Sequence, residues 1–231
     1  VKRRLSHRRR QDYAEGGSGG LELSALGDVE IVGKLGEGVT CAVFDAHWKG
    51  RDVVLKLYKA GAIERHYRLL GEELVEFEWN RNRAFYDAPG LRRYVAEPLA
   101  YTMGPGIAAF VQEKLEGQLY YFDYVARGGL DAALYEQVKT IVRLSHEAEL
   151  YDVDLHAGNL MVVRGPDGLP QPKLFDFNFI PFYIHPPNPF VALLLKLGVI
   201  DLRSRDLRKL KNFHDFRRFE RKVKRFANTD G

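Results

Sequence analysis

Asp154 and Asn159 stand five residues apart in Tyr151-Asp152-Val153-Asp154-Leu155-His156-Ala157-Gly158-Asn159-Leu160, in a loop between a long helical pattern and a short strand. An Asp in such a loop can take the proton of an attacking hydroxyl, while a nearby Asn amide oxygen can bind a metal ion. Phosphoryl transfer needs both, because its catalysis is mostly positioning and charge neutralisation. Lys173-Leu174-Phe175-Asp176-Phe177-Asn178 adds a second carboxylate at the end of another strand. Mg2+ prefers oxygen ligands, so Asn159, Asp176 and phosphate oxygens form a coherent set.

Upstream, Gly36-Glu37-Gly38-Val39-Thr40-Cys41-Ala42-Val43 lies between two expected strands. Glycine has no Cβ, so backbone N–H groups there can close over phosphates. Thirteen residues after Val43, Lys56 alternates with apolar residues in Val53-Val54-Leu55-Lys56 and points its ammonium towards whatever lies under the turn. That position suits pairing with nucleotide phosphates and with a helix carboxylate. Of Glu72, Glu73, Glu76 and Glu78 in the following helical pattern, Glu78 is favoured, with Phe85 seven residues on, and Glu73 is the alternative. A plain hairpin, a solvated lysine or an Asp/Asn cap explains each piece singly. None explains glycine turn, strand lysine, Asp-x4-Asn and strand-end Asp in this order.

The elements that must hold these residues follow from periodicity. Val43–Trp48 and Val53–Tyr58 read as strands joined by a turn at 49–52. One long helical pattern then carries Leu70, Leu74, Phe77, Ala84 and Phe85 and stops before Pro89-Gly90. Val95–Tyr101 and Ile107–Gln112 read as short strands. After Gly117 the character turns helical. Leu130–Glu149 carries an apolar stripe, with His146, Glu147 and Glu149 read as surface, and Leu160–Arg164 and Pro172–Phe175 read as strands. An apolar helix near 190–198 and a basic helix near 203–226 close the chain. The fold class is α+β, with strands concentrated early and helices late.

The 231 residues hold 35 Lys plus Arg against 31 Asp plus Glu, a net charge of +4. That total divides into +6 over residues 1–10, +8 over 203–226 and −10 over the rest. The basic ends are attractive to anionic lipid or nucleic-acid phosphates, and an acidic body is not in itself a nucleic-acid binder. The longest apolar stretch, 190–200, falls well short of the roughly 18 residues of a membrane span. A single cysteine, Cys41, excludes an internal disulfide and reads as a small core residue. No apolar run follows the opening cations, so no secretory signal is expected there and a cytoplasmic setting is. Residues 1–27, basic and then Gly-rich, are expected to be a disordered arm and linker, with order beginning near Val29.

Taken together, these motifs resemble the protein-kinase-like superfamily over roughly residues 29–180. The Gly36–Val43 turn resembles its glycine-rich loop, Lys56 its β3 lysine, Asp154…Asn159 its catalytic loop, and Asp176-Phe177-Asn178 its Asp-Phe-Gly motif. Phe110–Gly117 is similar to the hinge. The resemblance implies a bilobal fold: a small β-rich N-lobe with one long helix and the hinge (28–116), and a short, mainly helical C-lobe (117–231). It implies ATP–Mg2+ between the lobes, with nucleotide contacts at Gly36, Gly38, Val43 and Lys56. Adenine would bond the backbone of Glu113 and Leu115, with Gln112 at the gatekeeper position. It also implies a Lys56–Glu78 pair, metal ligation by Asn159 and Asp176, and Asp154 as the group orienting or deprotonating the acceptor hydroxyl. His156 would hydrogen-bond within its loop.

Departures narrow the resemblance. Asp152 stands where the usual loop has His, Asn178 where it has Gly, and Cys41 where the third loop glycine falls. No Ala-Pro-Glu follows Asp176. The short C-terminal part and the Asp-Leu-His-Ala-Gly-Asn loop are most similar to bacterial lipopolysaccharide-core sugar kinases and small-molecule kinases. The expected activity is therefore ATP-dependent phosphorylation of a sugar or lipid-linked hydroxyl. An atypical serine/threonine protein kinase is one alternative. A nucleotide-binding pseudokinase or scaffold, with basic ends on a membrane or nucleic acid, is another. In the first reading, 203–226 would touch the anionic inner face of a membrane, and Tyr120-Tyr121-Phe122 and Tyr124 would pack as an aromatic helix face.

Overall fold

The computed structural model describes residues 26–104, 107–120 and 132–214. The basic arm, the Gly-rich linker up to residue 25, residues 121–131 and the tail beyond His214 lie outside them. The chain divides into two compact units, residues 1–80 with 97–114 and residues 81–96 with 115–231.

The first unit is an antiparallel sheet of five strands in the order β1-β2-β3-β5-β4: β1 (Val29–Glu37), β2 (Cys41–Trp48), β3 (Arg51–Tyr58), β4 (Pro98–Gly104) and β5 (Ile107–Glu113). The β2–β3 hairpin closes through Lys49-Gly50 alone, with Trp48 paired to Arg51 and both loop residues at positive φ. That is the primed-turn geometry which matches strand twist, and it returns Arg51 and Asp52 to the strand. Alternation along β3 then decides everything nearby. Val53 and Leu55 face a core with Ala46, Trp48, Ala109 and Val111. Lys56 is buried, and Tyr58 joins a second core with Ile63, Leu74, Val75 and Phe110.

Two helices, not one, follow β3: α1 (Ala60–Leu70) and α2 (Leu74–Asp87). The break is Gly71, at φ 74, whose N–H caps α1 by donating to the Tyr67 carbonyl at 2.7 Å. A left-handed C-cap is what glycine does best, and the three-to-four spacing of Leu70 and Leu74 runs through it without being helical. Glu73 consequently lies outside the helix, its carbonyl accepting the Phe77 N–H. Packed structure also reaches upstream of Val29. Leu26 is buried, and its carbonyl accepts the Trp48 indole N–H at 2.7 Å.

The second unit holds a three-stranded antiparallel sheet, β6 (Gly117–Tyr120), β7 (Leu160–Arg164) and β8 (Pro170–Leu174), with α3 (Ala132–Glu147), α4 (Pro189–Lys196) and α5 (Ser204–His214). The segment after Gly117 is thus a strand pairing β7, where helix was expected, and Tyr120 ends it. Residues 81–96 belong here and not with the first unit. Phe85, Leu91, Tyr94 and Val95 pack with Leu134, Val138, Ile141 and Phe177 in one core, and Val95 bridges Leu174 before β4 begins. The architecture is α+β, with five α-helices among the described residues. None of them is long and apolar enough to cross a membrane.

Candidate functional site

In the first unit, Lys56 Nζ lies 2.6 Å from Glu78 Oε1, and the two side chains are only 4% and 0% exposed. The second carboxylate oxygen accepts the Tyr58 hydroxyl at 2.6 Å. Both Glu78 oxygens are therefore engaged, which a fully buried carboxylate requires. Of the four glutamates considered, Glu78 is the one on Lys56. Tyr58 was not anticipated. Its signal was available, since it stands two residues after Lys56 on the same face of β3.

Val43 pairs Lys56 directly across the β2–β3 ladder, and Gly36 pairs Val43 across β1–β2. At the turn, the Gly38 N–H donates to the Cys41 carbonyl at 2.9 Å, and Cys41 is buried. Neither glycine is demanded by the fold itself. A Cβ at Gly36 would meet nothing within 4 Å, one at Gly38 only the Cys41 carbonyl at 3.7 Å, and neither has positive φ. Between them Glu37 is salt-bridged to Lys34 and Lys59, and their ammonium groups hold its carboxyl down to about 2. Two lysines against one permanently ionised glutamate leave the turn with a surplus positive charge. Further along, Gln112 is buried with its amide oxygen unpartnered among the described residues. The Glu113 N–H donates to the Glu97 carbonyl at 2.8 Å, so a backbone contact from Glu113 to a ligand falls to its carbonyl. Leu115 belongs to the second unit.

The second unit gathers Asp154, Asn159 and Asp176. Buried Val153 and Leu155 pin the loop on either side of Asp154, whose side chain stays 26% exposed. Asn159, in the 3-10 turn at Ala157–Asn159, donates from Nδ2 to the Asp154 carbonyl at 3.1 Å and to the Asp176 carbonyl at 2.9 Å. One amide nitrogen thus ties the backbones of both carboxylate-bearing residues together. Asp176 lies two residues past β8, and Phe177 behind it packs on Phe85 at 5.1 Å. His156 Nδ1 accepts the Gly158 N–H, which puts the ring proton on Nε2, 3.4 Å from Asp154 Oδ2. His156 is therefore an orienting neighbour of Asp154.

Asp152, which takes the usual histidine position, is fully buried with φ 53. Its carboxylate accepts the Phe182 N–H at 2.8 Å, Arg205 at 3.1 Å and Lys209 at 3.2 Å. Lys209 also donates to the Val153 carbonyl at 2.6 Å and reaches within 4.0 Å of Asp154 Oδ1. Asp206, equally buried, accepts the Asp152 N–H at 2.9 Å and contacts His146 Nε2 at 3.0 Å. His146 is thus a member of this network and not surface, as its helix position had suggested. Arg81 closes the set by donating to the Tyr151 and Asp152 carbonyls at 3.1 and 2.9 Å. The described part of the basic helix is accordingly a docked element, with Leu210 in the core.

Burial pushes the Asp206 carboxyl above its usual 3.8, against the opposing pull of His146 and Lys209. The native chain therefore keeps this proton to higher pH than the unfolded chain does. The stabilisation is full below 3.8 and is lost as pH rises through the raised value. Asp206→Asn should remove that decline. In urea titrations from pH 3 upwards, wild type should lose stability relative to the variant, and a constant difference would show the carboxyl unperturbed.

Two oxygen donors, the Asn159 amide oxygen and the Asp176 carboxylate, form a hard but partial ligand set. That suits Mg2+, which takes one or two protein ligands and completes its shell with water and substrate phosphates. Among the described residues no cluster of three His, Cys, Asp or Glu side chains offers an all-protein cage. Comparison with protein-family models and with curated proteins finds no match for this chain.

Proposed function

We propose that this chain is an ATP- and Mg2+-dependent phosphotransferase with a bilobal protein-kinase-like fold, acting on a hydroxyl acceptor. The observation that carries the reading is the Asn159 amide, which joins Asp154 and Asp176 within one loop system. In the first unit the buried Lys56–Glu78 pair and the positively biased, sterically open glycine turn support it. Lys56, oriented by Glu78, holds nucleotide phosphates, while the Gly36–Val43 backbone covers them. Asn159 and Asp176 would hold Mg2+, which supplies charge neutralisation on the phosphate oxygens when bound. Asp154, oriented by His156 and Asn159, accepts the acceptor's proton as its oxygen bonds the γ-phosphorus and the bond to ADP breaks. By the same resemblance the acceptor is a sugar or lipid-linked hydroxyl, with a serine or threonine side chain the alternative.

Calorimetric titration with ATP tests this directly. Binding should require Mg2+ and should be lost in Asp176→Ala. Asp154→Ala should still bind nucleotide but lose at least about a hundredfold in ADP formation with a competent acceptor. Gly38→Ala should weaken binding without lowering the melting temperature. Absence of Mg2+-dependent nucleotide binding by the wild-type chain would sink the proposal.

A further inference from the structure

Helix α4 is apolar at every position but its last, Lys196, and none of its residues is buried. Phe190 is 67% exposed, and Leu197 and Val199 just beyond the helix are 64% and 66% exposed, with Leu193 and Ile184 also exposed. A helix of that composition normally lies inside a core, so its exposure needs a partner. The segment is also built rather than loose: the Asn188 side chain caps it by accepting the Val191 N–H at 2.9 Å, and Pro189 opens the first turn.

The charges around it are predominantly positive. Residues 177–200 contain no Asp or Glu, and Lys196 ends the helix. Arg203, Arg208 and Lys211 on or beside α5 are exposed, and none of the three makes an ion pair with another described side chain. An open depression of about 410 Å³ is walled by Val191 of α4 with Arg205 and Arg208 of α5 and by His185. Of the acids nearby, Asp206 is buried against the Asp152 N–H and His146, Glu147 is paired with Arg143, and exposed Asp201 accepts the Arg203 backbone N–H.

We infer that α4 with the adjoining face of α5 docks on an anionic lipid bilayer. Phe190, Leu193 and Leu197 enter the acyl boundary, and Arg203, Arg208 and Lys211 meet lipid phosphates, with the Arg205–Arg208 depression taking a headgroup. A protein-binding face has an apolar centre with a polar rim. Here exposed apolar bulk is bordered by Lys196, Arg203, Arg208 and Lys211, which outnumber the exposed acids Asp201 and Glu147, and that positive excess is the pattern of a helix lying in a membrane interface. The inference does not depend on the phosphotransferase reading, since none of these residues belongs to the Asp154–Asn159–Asp176 group.

The full chain should co-sediment with phosphatidylcholine vesicles containing phosphatidylglycerol and only weakly with phosphatidylcholine alone, with binding that falls as salt rises. Phe190→Asp with Leu193→Asp should lower binding at least about tenfold, and Arg203→Glu with Arg208→Glu similarly, both with an unchanged thermal melt because the side chains are exposed. Unchanged vesicle binding in Phe190→Asp/Leu193→Asp would overturn the inference, since the basic ends alone would then suffice. So would a lipid-free dimer abolished by the same pair of substitutions, with no vesicle binding by wild type.

Discussion

Asp152→Ala is expected to destabilise the second unit by about 2–4 kcal/mol, measured by urea denaturation with an unchanged m value. Three effects add. The buried carboxylate is shared by Arg205 and Lys209, and its loss removes the anion between two cations. They keep partial exposure, 30% and 21%, so the penalty falls below that of a sealed pair. The Phe182 N–H loses its acceptor, and a buried donor without one costs about 1–3 kcal/mol. Alanine must also adopt φ 53, which costs it about 1 kcal/mol. Asp152→Asn separates the charge from the rest, because asparagine tolerates that backbone and can still accept from Phe182. It should recover roughly half of the loss. A drop smaller than about 1 kcal/mol in the alanine variant would mean that Arg205 and Lys209 find other partners.

Lys56→Met should cost about 3–5 kcal/mol, because it removes the ammonium that sits 2.6 Å from a carboxylate with 0% exposure. The Tyr58 hydroxyl remains on Oε2 but cannot replace a charge at 2.6 Å. Adding Glu78→Gln should return most of that stability, since a neutral amide can still accept from Tyr58. Nucleotide binding should not return with it, because the cation is gone. A double-mutant cycle on the denaturation midpoints therefore distinguishes a functional pair from a structural one. If the double variant is as unstable as Lys56→Met alone, the Lys56 side chain matters for packing and not for charge.

What could be read from the sequence follows the range of the interactions. Lys56 and Asn159 were legible because strand alternation and a five-residue spacing are local patterns. The Lys49-Gly50 hairpin and the Gly71 helix stop were equally local. Even so, the apolar spacing of Leu70 and Leu74 outweighed the glycine, and one helix was expected where there are two. Tyr58 was within reach by the same alternation that singled out Lys56. The Asp152 network was not. Its cations come from Arg205 and Lys209, more than fifty residues on, and its backbone ties come from Arg81 and Phe182. No periodicity links such positions, and within its own loop Asp152 looked only like a missing histidine. The exposure of α4 was hidden for a related reason: composition gives its apolarity, but only the finished fold shows that none of its residues is buried.

The clamp on Asp152 also sets a schedule for synthesis. Lys209 is made 57 residues after Asp152, and at about 5–20 residues per second the loop exists for on the order of 3–10 s before α5 is available. Until then the carboxylate remains hydrated and the Asp154 segment is held only by Val153, Leu155 and the Asn159 amide. Asp154, Asn159 and Asp176 are already translated, yet the contacts behind their loop are complete only once α5 is made. A chain cut between Asn178 and Lys209 would keep Asp154, Asn159 and Asp176 and lose the Lys209 contacts that back their loop.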